Sequence, residues 1–231
     1  MPPVAETLCQ QNLALNIEPP FTQYIFIDQS ITHAGKLRDL KSEFPKRNIQ
    51  IRQADANVEL RKLATSTNWR RTRAAIFIDP YGMQVDWHTL ETLAATKSCD
   101  IALLFPTGSI NRMLSRNAEI PVEWSNRIDR HLGKCDWRAA AYAPEEKFDL
   151  FSAPTTIEKK SINANGLKNF VFKRLQNIFP FVYENPYELR NSKDSVLYHL
   201  FIMCANPEPK AIALATRIAR SAFKQPNRRG I

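Results

Sequence analysis

The sequence is short of glycine. It has six, Gly35, Gly82, Gly108, Gly133, Gly166 and Gly230, and no two lie close together. Neither a G-x-G-x-x-G nor a P-loop can be written anywhere along the chain. Those loops exist because only glycine lets backbone approach a phosphate or nucleoside closely. The shortage therefore excludes the usual cradle of a nucleotide-type ligand. Cysteine is equally thin: Cys9, Cys99, Cys135 and Cys204 are scattered and form no C-x-x-C pair. They read as free thiols in a reducing compartment, with a cytoplasmic location expected. His33, His88, His131 and His199 lack ligand spacing and no H-E-x-x-H occurs, which argues against a zinc site. Long apolar runs are also missing. The longest, Val196 to Ala205, contains His199 and falls well short of the roughly 18 residues that a membrane helix needs. The opening Met1-Pro2-Pro3-Val4-Ala5-Glu6 has no basic region followed by an apolar one, so neither a secretory signal nor a membrane partner is expected.

Acidic charge is outnumbered. The net charge is +9, and much of the excess lies between Lys36 and Arg73, with Lys41, Lys46, Arg47, Arg52, Arg61, Lys62, Arg70 and Arg71 among it. A second cluster, Arg217, Arg220, Lys224, Arg228 and Arg229, closes the chain. Such an imbalance favours a polyanionic partner such as nucleic acid. A merely solvated basic surface is the competing reading, because no aromatic interleaving or RNP-type signature accompanies the charge. At 231 residues the chain suits one generous domain spanning 1–231.

Apolar strands alternate with amphipathic helices, which predicts α/β. Tyr24 to Asp28 reads as a strand ending in an acid, and Ser30 or Thr32 can cap a helix to Phe44 with Leu37 and Leu40 inward. Ile49 to Gln53 is the next strand, and Asn57 is expected to cap a helix carrying Leu60, Leu63 and Ala64 inward. Ala74-Ala75-Ile76-Phe77-Ile78 reads as a strand buried on both faces, as in a helix-covered parallel sheet. A helix over 88–97 follows, then a buried strand from Asp100 to Phe105, stopped by Pro106. Thr107 opens another helix. Residues 115–165 read as an insertion of polar helix and irregular, proline-containing chain. A helix from Leu167 to Ile178 precedes two extended runs, Phe181–Leu189 and Val196–Cys204, expected to form an antiparallel hairpin. Pro207 is expected to open the last helix.

Three acids sit just past three candidate parallel strands: Asp28, Asp55 and Asp79. Open α/β sheets bind ligands at that edge. An acid after a strand suits a ribose hydroxyl pair, and Asp55 suits an adenine amino group. Asp79 would lie beside the chemistry, with the Pro80 carbonyl as a second acceptor and Tyr81 stacking on a planar substrate. The competing reading has each acid capping the next helix, and Tyr81 packing on Trp87. His88 is expected at the surface.

Ile76 through Trp87, with its Asp79-Pro80-Tyr81-Gly82-Met83-Gln84 core, and Leu103 through Leu114 resemble the three-Cys-motif partner proteins (TcmP). Tyr24 to Asp28 and Leu197-Tyr198-His199-Leu200 extend the resemblance, which runs from about Leu13 onward. It implies a Rossmann-like class I methyltransferase sheet, with parallel strands and a C-terminal antiparallel hairpin, using S-adenosylmethionine. It further implies a ribose contact at Asp28, an adenine contact at Asp55 and Ala56, and a catalytic edge at Asp79, Pro80 and Tyr81. The implied partner is a protein with three clustered cysteines of radical-SAM type. The chain departs from the pattern in two places. Amino-methyltransferases carry D-P-P-Y, which sets the ring one residue later. Members also open with a strand and a glycine loop, D-x-F-A-G-x-G, ahead of a helix that Leu8 to Leu15 resembles. With that strand and loop lacking, the chain reads as N-terminally truncated in preference to degenerate, and as weak or inactive. A non-catalytic partner protein, docking the three-cysteine protein or nucleic acid through the basic surface, is the alternative.

Overall fold

Tyr24-Ile25-Phe26-Ile27 and Ile49-Gln50-Ile51-Arg52 are rich in the β-branched and aromatic residues that favour extended backbone. In the computed structural model, which describes residues 11–149 and 152–223, they pair in parallel as β1 (Tyr24–Ile27) and β2 (Ile49–Arg52). Parallel strands require a crossover, and α1 (Ile31–Glu43) supplies it. Ser30 caps α1 as expected, accepting from the His33 N–H at 3.3 Å. Ala34, Leu37 and Leu40 are its buried face. Leu15, Tyr24, Leu40 and Ile49 form the local core, with Phe26, Phe44 and Ile51 packed against it. The next helix, α2 (Ala56–Ser66), is not capped by Asn57. The Val58 N–H donates to Asp55 Oδ1 at 3.0 Å, while Asn57 is buried within the first turn. An aspartate one residue before the first helical position reaches that N–H, and the asparagine expected there is already helical.

The chain divides into two compact units, the first ending at Thr65 and the second beginning at Ser66. The second unit opens with a parallel βαβ: β3 (Ala74–Ile78), α3 (Trp87–Ala95) and β4 (Cys99–Phe105). β4 matches expectation, with Ile101, Leu103 and Phe105 each 1% exposed. β3 does not. Ala75 is exposed and Phe77 is 49% exposed, because β3 pairs with β4 alone and is an edge strand among the described residues. α4 (Thr107–Met113) follows β4. A Cβ on Gly108 would stand 2.5 Å from the Val196 carbonyl oxygen, so only glycine lets α4 begin this close to the chain at Val196.

Residues 115–165 are more regular than their composition suggests. They hold α5 (Val122–Leu132), α6 (Trp137–Ala141) and an antiparallel ribbon of β5 (Tyr142–Asp149) and β6 (Ser152–Lys160). Pro144 is tolerated there because a two-stranded ribbon leaves one edge of each strand unpaired. α7 (Ala164–Gln176) buries Leu167, Val171 and Leu175 at four-residue spacing. The expected hairpin forms, but its first run is broken. β7 (Phe181–Val182) and β8 (Tyr187–Arg190) both pair with β9 (Val196–Cys204), which is antiparallel to β4. Pro186 lies in the interruption and has no N–H for a ladder. The last helix, α8 (Pro209–Phe223), starts two residues past Pro207. Lys224, Arg228, Arg229 and Cys9 lie outside the described residues. The architecture is mixed α/β: β1–β2 is a parallel pair, β5–β6 an antiparallel one, and the sheet of β3, β4, β9, β7 and β8 combines both kinds of pairing. Among the described residues no helix is long and apolar enough to cross a membrane.

His131 on α5 is 3% exposed, and its ring lies 4.9 Å from that of Phe105. Its Nδ1 is 2.7 Å from the Val85 carbonyl oxygen, and buried Nε2 has no partner. Burial pushes its pKa down to about 4, against the opposing Val85 hydrogen bond. The depressed value means that the unfolded chain takes up a proton which the folded chain refuses, so stability is full above 6.5 and falls toward about 4. Urea denaturation is expected to show a loss of about 3 kcal/mol from this group across that interval. His131→Gln is expected to flatten that part of the pH dependence.

Candidate functional site

The carboxyl ends of β3 and β4 form one edge in the second unit, because the strands are parallel and in register from Ala74 opposite Cys99 to Ile78 opposite Leu103. β3 is stopped by Asp79-Pro80-Tyr81-Gly82, and Gly82 holds φ at +66°, a left-handed conformation that glycine adopts without strain. β4 is stopped by Pro106, from which α4 starts. β9 runs the other way, pairing His199 with Phe105, so Tyr198 comes to the same edge one residue earlier in the chain. The Tyr198 phenol is pushed up by burial and further by the Asp79 carboxylate; Arg112 on α4 opposes this and Tyr81 adds to it. Asp79, Tyr81 and Arg112 therefore all lie close enough to Tyr198 for their charges to bear on it. Tyr81 is 73% exposed, so its ring faces solvent and is not packed away in the manner of Trp87, which is 3% exposed beneath the Arg174 guanidinium at 4.5 Å.

A buried polar chain lies next to this edge. His199 is 0% exposed, as is Thr107. Thr107 Oγ1 stands 2.7 Å from His199 Nδ1, and His199 Nε2 stands 3.4 Å from Glu188 Oε1. Arg190 in turn grips Glu188 Oε2, through Nη2 at 2.6 Å and Nε at 3.1 Å. Although burial raises the Glu188 carboxyl, hydrogen bonds from Arg190 and His199 bring it below its ordinary value. Burial lowers the His199 pKa against the attraction of Glu188. An ionised Glu188 accepts only, which assigns the Nε2–H tautomer; Nδ1 then accepts from the Thr107 hydroxyl. The order hydroxyl, imidazole, carboxylate resembles a nucleophilic triad, but a hydroxyl with no exposure cannot meet a substrate. Its role is to tie β4, α4, β8 and β9 together behind the edge.

Asp28 and Asp55 are occupied locally. Asp28 follows β1, where Oδ1 accepts from the Ser30 N–H at 2.7 Å and Oδ2 lies 3.1 Å from His33 Nδ1. Asp55 caps α2, and Ala56 is that helix's exposed first residue. Asp28 and Asp55 share the carboxyl edge of the β1–β2 sheet, whereas Asp79, Pro80 and Tyr81 belong to the β3–β4 edge. His88 is on the surface, 3.5 Å from Glu91. Among the described residues, no group of three or more His, Cys, Asp and Glu side chains is placed to hold a metal ion. Cys99 and Cys204 are buried free thiols and Cys135 a half-buried one.

Arg112, Tyr198, Thr107, His199 and Glu188 were not singled out from sequence. Arg112 stood within the Leu103–Leu114 block, unassigned. The Glu188–His199 contact follows from the hairpin register, which the Arg190–Asp194 connection sets once the loop length is known. Three comparisons with known proteins return nothing: the chain matches no protein-family model, no curated protein and no solved structure.

The charge coupling at the edge is open to titration. Asp79→Asn is expected to lower the Tyr198 phenol pKa and Arg112→Gln to raise it, because the first removes a negative neighbour and the second a positive one. Ultraviolet difference titration against Tyr198→Phe reads both shifts, and a Tyr198 pKa that moves in neither variant would separate these residues.

Proposed function

We propose that this chain is a methyltransferase-like protein of the S-adenosylmethionine-dependent type, acting on or with nucleic acid and weak or inactive toward the cofactor. The observation that carries this reading is the edge cluster of Asp79, Tyr81, Arg112 and Tyr198 at the carboxyl ends of parallel strands. There the Asp79 carboxylate and Pro80 carbonyl accept from an amino or hydroxyl nucleophile, and the exposed Tyr81 ring offers a face to a planar base. Strand pairing lends further support. β1 and β2 pair in parallel, β3 and β4 pair in parallel, and β9 with β8 closes the second sheet antiparallel, pairings that a methyltransferase sheet also contains.

The donor half fits poorly. Both Asp28 oxygens already have partners, Asp55 caps a helix, and the first unit's one described glycine, Gly35, lies within α1. A ribose bound at Asp28 must share oxygens with Ser30 and His33, and no glycine brings backbone close to it. These residues do not make a well-formed S-adenosylmethionine site.

A second reading, a non-catalytic partner of a three-cysteine protein or of nucleic acid, is favoured by the exposed Arg38, Lys41, Lys46, Arg70 and Arg71. Part of the basic run is neutralised, with Arg47 paired to Glu18 and Arg52 to Glu59.

Isothermal titration with S-adenosylmethionine is expected to show no micromolar binding; micromolar affinity contradicts the weak-cofactor reading. Retention on an immobilised single-stranded oligonucleotide is expected at low salt and lost between about 50 and about 200 mM salt. Tyr81→Ala is expected to weaken it about tenfold. No retention at low salt removes nucleic acid as the partner.

A further inference from the structure

We propose that two copies of this chain pair through β3, antiparallel and about a two-fold axis at Ile76. The pairing does not depend on the methyltransferase reading. The Ala74 N–H donates to the Ser98 carbonyl at 3.1 Å, so Ala74 faces β4. Residues alternate in which side their backbone groups serve, so Ile76 and Ile78 also face β4, and Ala75 and Phe77 direct theirs outward. Among the described residues β3 pairs with β4 alone, leaving a row of donors and acceptors with no strand beside it. Soluble proteins blunt such edges with charge, proline or a bulge. Ala74 to Ile78 has none of these.

The edge is complementary to itself. An antiparallel copy centred on Ile76 sets Ala75 opposite the partner's Phe77 and Phe77 opposite the partner's Ala75. Both are outward residues, so each pair exchanges two backbone hydrogen bonds, the narrow pairing of an antiparallel ladder. Side chains of Ala75 and Phe77 project to one face, and both residues are exposed, Phe77 by 49%. Across the axis each large ring therefore lies beside a small methyl and covers it, which leaves both less exposed. Beyond the strand the same register brings the exposed Arg70–Arg71 loop of one copy toward the Asp79 end of the other. A two-fold contact buries such a patch twice and closes without forming a fibre. It also shields an apolar edge that otherwise invites aggregation.

Sedimentation equilibrium across about 1 µM to about 1 mM chain tests the pairing. A concentration-dependent dimer is expected. Ala75→Pro removes an outward N–H without touching a bond to β4, and Phe77→Lys places like charges near the axis while keeping the backbone. Both variants are expected to sediment as monomers with unchanged far-ultraviolet circular dichroism. If Ala75→Pro alters the dichroism, Phe77→Lys decides. A wild-type chain that is monomeric throughout, or a dimer that survives in a folded variant, overturns the proposal.

Discussion

Burying an imidazole costs least when each nitrogen has a partner inside the protein, and His199, unlike His131, meets that requirement, through Thr107 and Glu188. This requirement fixes much of the second unit. Thr107 must be the residue that begins α4, so Pro106 must end β4 one residue earlier. Glu188 must lie across from His199, which locks the β8–β9 register. Gly108 must be glycine, because meeting His199 brings the start of α4 against the Val196 carbonyl. Arg190 completes the chain by holding the carboxylate that holds the imidazole. The edge bearing Asp79, Tyr81, Arg112 and Tyr198 stands on this support, since Tyr198 directly precedes His199 and Arg112 is on the helix that Thr107 opens.

The acids after the strands separate by what they do for the backbone. Asp28 and Asp55 satisfy N–H groups at the starts of α1 and α2. Such a carboxylate offers less to a ligand than its place on a sheet edge suggests. The Asp79 carboxylate also acts across strands: its charge raises the phenol pKa of Tyr198 on β9. The proposed weakness toward S-adenosylmethionine follows from the local partners of Asp28 and the capping role of Asp55. The basic residues differ as well: Arg47 and Arg52 of the first unit are in ion pairs, whereas Arg70 and Arg71 of the second are exposed.

The elements were legible where one chemical signal dominates. Cys99–Phe105 is apolar almost throughout and stops at proline, and α1 shows its buried Ala34, Leu37 and Leu40 at helical spacing. Asp79, Pro80 and Tyr81 were readable as an edge because proline and glycine must end a strand. What sequence hid depends on pairing. Phe77 looks like a core residue until β3 is known to be an edge strand among the described residues. Asn57 and Asp55 are both good caps, and only the backbone conformation decides between them. The 142–160 ribbon carries proline and mixed charge, which resemble loop composition, while its cross-strand pairs are non-local. Thr107, Glu188 and His199 are far apart in sequence and ordinary in type, so no local pattern marks them.

The most direct measurement of this account is the protonation and tautomer of His199, read from the ring nitrogen shifts by nuclear magnetic resonance at neutral pH. A neutral ring carrying its proton on Nε2 is the expected result, with Nδ1 accepting from Thr107. A doubly protonated ring, or one with its proton on Nδ1, contradicts the buried chain on which the candidate edge is built.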